Sequence, residues 1–194
     1  MIRAILAGGL VLGVGAAVTL AAWNDSEFAT GTFTAGTFDL EGSTDGTTFA
    51  QHASSGAAAT LVFTVAGANL ALSPTDKVAT PFVVRLATGT TNNGNVVIQT
   101  PTSTGTVSNL TYEVVRVATA GACTTSAVDS TGTSLITAGT AITSVAGPNT
   151  FGLTKGATLL VPGTAQVLCF KFTAGAIAQG QTGTVTWQLQ ATSL

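Results

Sequence analysis

Few residues in this chain could do chemistry, and they are scattered. His52 is its only histidine. That excludes the H-E-x-x-H metalloprotease helix and any zinc site built from several imidazoles. One histidine suffices for a Ser-His-Asp array, but no G-x-S-x-G elbow accompanies it. The surrounding QHASSG reads as a turn or strand end, so His52 is expected at the surface. Cys123 and Cys169 are the only cysteines, and TAGACTTS and QVLCFKF offer no metal-ligand spacing. In an oxidising compartment they read as one disulfide, closing a loop of roughly 46 residues and contributing about 4 kcal/mol in the chain-entropy picture. The alternative is a pair of unbonded buried thiols. Asp25, Glu27, Asp39, Glu41 and Asp45 lie near one another in sequence, and hard cations take such oxygen ligands. They lack EF-hand spacing, however, and solvated carboxylates that keep strand edges apart are the simpler reading. The glycine-rich TGTFTAG lacks a P-loop lysine. Thr30, Thr32 and Thr34 hint at an ice- or carbohydrate-binding face, but the spacing does not persist and threonine is simply a good strand residue. No catalytic residue, metal or cofactor is expected.

The elements that would position these residues are strands. Charged residues make up 7% of the 194 positions and the formal net charge is −2. Nothing basic is clustered, so neither nucleic acid nor an anionic membrane surface is an expected partner. Hydrophobic residues at 45% argue against disorder. After residue 41 no helical periodicity appears; short β-branched or aromatic runs recur between Gly, Pro, Asn and Ser. TLVFTV (60–65) reads as a buried strand. KVATPFVVRLAT (77–88) carries Pro81, which predicts a bend or an edge position. NVVIQT (95–100) follows the turn signal TTNNG. In 110–119, Leu110, Tyr112, Val114 and Arg116 share one face, with Thr111, Glu113, Val115 and Val117 on the other. In 165–174, Val167, Cys169, Lys171 and Thr173 oppose Leu168, Phe170 and Phe172. The run 182–194 reads as one clean strand, with Val185, Trp187, Leu189 and Ala191 alternating against Thr184, Thr186, Gln188 and Gln190. Residues 120–163 are legible only as Gly/Ser/Thr-rich. The expected fold is all-β, a single-domain antiparallel β-sandwich of jelly-roll-like type.

The N-terminus says most about destination. Arg3 is followed by the uncharged apolar run Ala4–Ala22, and Thr19-Leu20-Ala21 has the small-x-small form of a signal cleavage site. Cleavage between Ala21 and Ala22 makes residues 1–21 a signal peptide and leaves no membrane span in the mature chain. The alternative is a retained anchor, since the run approaches the roughly 20 residues that cross a bilayer; its four glycines make it only moderately hydrophobic. From Phe28 to Leu40 apolar and polar residues alternate, as in a strand.

The junction TLAAWNDSEFATGTFTAGTFDLEGS resembles that of the TasA/camelysin family of bacterial surface proteins, whose signal peptides are cut by a SipW-type peptidase. Ala22, Trp23, Asn24 and Asp25 match its Ala-aromatic-Asn/Ser-Asp element. Phe33, Gly36, Phe38, Asp39 and Leu40 match its F-x-x-G-x-(L/F)-D-L strand. LALSPTDKVATPFVVRLATGT (70–90) is similar to the family's Leu-x-Pro-Gly-Asp turn and following strand, with Thr75 where glycine is usual. TGTVTWQLQATSL is similar to its closing strand. The two cysteines and the low lysine content depart from the family pattern.

The resemblance implies a secreted, extracellular jelly-roll protein of the cell surface or biofilm matrix. Its copies would form fibres by donating residues 22–35 as a strand to the next 36–194 sandwich, with Trp23, Phe28, Thr30, Thr32 and Phe33 as subunit–subunit contacts. Expected partners are other copies of the chain, a minor anchoring or matrix protein, and signal peptidase during export. The alternative is a monomeric cell-surface adhesin or ligand-binding sandwich. A hydrolase built on His52 is the remaining reading.

Overall fold

A computed structural model describes residues 25–63, 71–106 and 108–194. The chain divides into two units, Met1–Ala35 and Gly36–Leu194. Among its described residues the second unit holds ten strands: β1 (Leu40–Ser43), β2 (Lys77–Leu86), β3 (Gly94–Ile98), β4 (Thr102–Gly105), β5 (Leu110–Val117), β6 (Ile136–Ala141), β7 (Thr150–Leu153), β8 (Gln166–Ala174), β9 (Gly183–Thr186) and β10 (Leu189–Ser193). Two single 3₁₀ turns, at Ser55–Ala57 and Ala120–Ala122, are the only helical pieces among the described residues.

The strands form a five-stranded sheet, β1-β2-β8-β5-β6, a three-stranded sheet, β10-β3-β7, and a ribbon, β4-β9; all these strand pairs are antiparallel. The two sheets face each other across one core. Val84 and Leu86 of β2, Tyr112 and Val114 of β5, and Leu168, Phe170 and Phe172 of β8 meet Val96 and Ile98 of β3 and Phe151 and Leu153 of β7 there. The antiparallel sandwich is jelly-roll-like in that the chain passes between sheets at β2→β3, β6→β7, β7→β8 and β8→β10. Period-2 alternation drives this burial, because only one face of each strand finds apolar neighbours. The Tyr112 hydroxyl donates to Ser144 O, and burial pushes its pKa up to about 12. Trp187 packs against Tyr112, Phe170 and Phe172, and its buried Nε1 has no acceptor among the described residues.

Two expectations change, and the edge position expected at Pro81 is found. Residues 60–63 form no strand, although Leu61 and Phe63 pack on the core; residues 64–65 lie outside the described set. An apolar run can be buried through its side chains without a backbone partner. Pro81 lies inside a sheet, but β1 pairs only with Val83–Leu86, so at Pro81 β2 has β8 alone beside it. The lost N–H is therefore tolerated. The closing run is two strands. Thr102 pairs with Thr186, whereas Gln99 N–H donates to Gln188 O, so Thr100 and Pro101 together oppose the single residue Trp187. That is a β-bulge, and β3–β4 with β9–β10 form one long ribbon broken at it.

Candidate functional site

Asp25–Ala35 is exposed throughout and contains no strand, despite its alternating sequence. Phe28 is 93% exposed and Phe33 96% exposed; Thr30 and Thr32 are exposed with them. Ala21, Ala22 and Trp23 lie outside the described residues. A strand-forming sequence that carries two bare phenylalanine rings has the apolar side chains for a sheet but no sheet to hold them.

Regular structure starts just after this segment. Thr37 forms a parallel bridge with Thr90, and Thr91 N–H donates to Thr37 O at 2.9 Å. A side chain at Gly36 would collide with Thr91. Phe38 and Leu40 then pack against the core.

The sheet edges differ in how they are covered. Gly42 of β1 exchanges backbone bonds with Ala50. Thr137 of β6 donates to Ala146 O, and the Gln166 side chain caps Gly152 O of β7. Among the described residues no backbone bond reaches the outer edge of β10. Its alternate N–H and C=O groups are those an added strand would use.

The outer face of the five-stranded sheet carries a strap, residues 118–135, which supplies the order missing from the sequence reading of 120–163. Cys123 and Cys169 are joined by a disulfide, Cα–Cα 5.2 Å, and Cys169 is fully buried on β8. Beneath the strap lie Val115, Val117, Val167 and Ala79. Lys171 Nζ bridges Glu113 Oε2 and Ala127 O, each at 2.7 Å, and Ser134 Oγ donates to the other Glu113 oxygen. Arg116 meets Asp129 through Nε and Nη2, both at 3.1 Å; the Asp129 side chain is 2% exposed. Burial alone would raise the Asp129 pKa. The Arg116 guanidinium, the Thr131 hydroxyl and two backbone N–H groups outweigh it and hold the carboxyl below its usual value. Hollows of about 140 and 450 Å³ flank the Lys171–Glu113 pair. Among the described residues every charge lining them except Lys77 is matched within the sheet or between sheet and strap, and the Lys171–Ala127, Ser134–Glu113 and Arg116–Asp129 contacts hold the strap to the sheet.

The remaining candidate residues are not brought together. Glu41 pairs with Arg85, whose guanidinium also lies over Phe49. Asp45 accepts from Thr48 N–H, Thr47 N–H and the Ser43 hydroxyl, which hold its carboxyl well below the usual carboxylate range. Among the described residues no three His, Cys, Asp or Glu side chains are placed to share a metal ion. His52 packs edge-on against Phe82, with ring centroids 6.4 Å apart.

One feature escaped sequence reasoning. The outward faces of β3–β4 and β9–β10 carry Asn95, Gln99, Thr102 and Thr104 beside Thr184, Thr186, Gln188 and Gln190, with no charge among them. Gln99 Nε2 donates to Gln190 Oε1 at 2.9 Å. The alternation of 184–190 was readable, but its partner strand β4 was not.

No protein-family model and no curated protein matches this chain.

Proposed function

We propose that the chain is a non-enzymatic, exported structural protein of the bacterial cell surface or biofilm matrix, of TasA/camelysin type. Its copies join when residues 22–35 of one subunit add as a strand to the sandwich of the next. The observation that carries this reading is the bare segment Asp25–Ala35. It is a strand-like sequence with Phe28 and Phe33 exposed, joined to a sandwich that has its own core and whose five-stranded sheet and strap are tied by a disulfide and three ion pairs. The open edge of β10 supplies the matching main-chain groups, and alternate side chains of the donor would find apolar neighbours at the rim of the core. A minor anchoring or matrix protein that presents a similar edge or segment would serve as the fibre's terminus.

Deleting residues 22–35 from the secreted protein should give a folded monomer, while the intact protein polymerises, as read by sedimentation and electron microscopy. Fibres from the deleted form, or an intact form that stays monomeric at high concentration, would sink the proposal.

A monomeric binding module is the second reading, and the uncharged Thr/Gln/Asn face favours it. Paired amides and hydroxyls suit a neutral, hydroxyl-rich ligand, and such a module would keep its ligand after loss of residues 22–35.

A further inference from the structure

Residues 154–163 turn through a loop whose tip is Leu159, Leu160 and Val161, which are 56%, 89% and 49% exposed. This is a set shape. Val161 N–H donates to Thr158 O and Gly163 N–H to Leu86 O. A side chain at Gly156 would strike Val161 O, and one at Gly163 would strike Thr154 O. Three consecutive aliphatic side chains held outward are unusual on a surface otherwise rich in threonine.

The position of the tip is the second observation. Gly89, at φ +84°, gives its N–H to Leu159 O at 2.8 Å, and its carbonyl accepts from the Thr37 hydroxyl. One residue therefore bridges the apolar tip and the point where the chain joins the sandwich. Lys155, at its start, is the only charge in the loop. The chain has no basic cluster either, so an anionic lipid surface is a poor match.

We propose that the Leu159–Val161 tip is a second subunit contact, seated on the copy that receives residues 22–35. This rests on the strand-donor reading. A neighbour holding that segment is tethered within about 50 Å of Gly36, at millimolar effective concentration, on the side of the tip. An apolar contact too small to join free monomers is then enough to set their relative orientation.

The test uses the secreted protein carrying Leu159→Ser, Leu160→Ser and Val161→Ser together, and Leu160→Ser alone, whose exposed side chain the fold does not need. With residues 22–35 intact, the triple variant should raise the critical concentration for assembly about tenfold or more, and the single variant by less. Folded circular-dichroism spectra and unchanged melting would accompany both. Equal critical concentrations for wild type and variants overturn the tip contact while leaving strand donation in place. A wild-type protein that never assembles overturns both. Loss of binding to phosphatidylglycerol/phosphatidylethanolamine vesicles with assembly unchanged assigns the tip to membrane and also overturns the contact.

Discussion

Replacing Thr75 with glycine should stabilise this protein. Ser73, Pro74, Thr75 and Asp76 form a turn closed by Asp76 N–H donating to Ser73 O at 3.1 Å, with Ser73 N–H held by the Asp76 carboxylate at 2.7 Å. Thr75 sits at φ +78°. Proline second and positive φ third define a type II turn, whose third position favours glycine. The conformation is fixed from outside as well, because Thr75 N–H donates to Ala174 O and Ala174 N–H to Asp76 O, both at 2.9 Å. The Thr75 side chain is exposed, so its removal loses no packing. A left-handed conformation costs an L-residue about 1–2 kcal/mol, with β-branched residues at the upper end. Glycine gives back roughly 0.5–1 kcal/mol through its freer unfolded chain. The net is about 1 kcal/mol in favour of Thr75→Gly, or a rise of about 2–4 °C in melting temperature for a domain of this size. Urea unfolding should show a higher midpoint at unchanged slope. A neutral or destabilising Thr75→Gly would mean that the turn does not hold position 75 at positive φ, and it would weaken the likeness of this segment to the family's Leu-x-Pro-Gly-Asp turn.

Two further expectations concern the strap. Asp129→Asn should cost about 3 kcal/mol at pH 7, because it leaves Arg116 without its charge partner in a mostly buried site. The Asp129 pKa is lowered on folding, so its stabilisation is complete above the unfolded value near 4 and is lost as pH falls through the lower folded value. The gap in urea midpoint between wild type and variant should therefore shrink below about pH 4; a gap that persists or widens down to pH 2 would contradict the assignment. Replacing both Cys123 and Cys169 with serine should lower stability by about 4 kcal/mol. It should also open residues 118–135 to limited proteolysis before the rest of the sandwich is cut, and equal protection in both forms would show that the ion pairs alone hold the strap.

The parts of this fold that sequence made legible are those where neighbours along the chain decide the outcome. In β8 the split between Leu168, Phe170, Phe172 and Val167, Cys169, Lys171 is a period-2 pattern, and the structure places the first set in the core and the second on the outer face. The strap was illegible because its anchors are distant in sequence: Lys171 reaches Ala127 O, and Cys169 reaches Cys123, in a segment whose Gly/Ser/Thr-rich sequence shows no local pattern. The bulge at Thr100–Pro101 was illegible for another reason. It lies on the partner strand, so the alternation along Thr184–Gln190 continues unbroken through it. Of the strand expected over Phe28–Leu40, only the bridge at Thr37 and the start of β1 at Leu40 form, and Phe28–Ala35 has no ladder partner among the described residues. The disulfide followed from composition, and the pairing observed is the one that two cysteines allow.

That pairing carries a consequence for how the chain matures. Cys169 lies in mid-strand between β2 and β5, opposite Pro81 on one side and Val115 on the other. In the folded chain its sulfur meets Cys123 at a place where three segments far apart in sequence, β2, β5 and β8, lie in register. With no third thiol, oxidation has no wrong intramolecular product: a chain closes correctly, stays reduced, or links to another chain. The bond ties the strap to the central sheet, and the monomeric oxidised fraction of a preparation reports how much of the chain carries that tie.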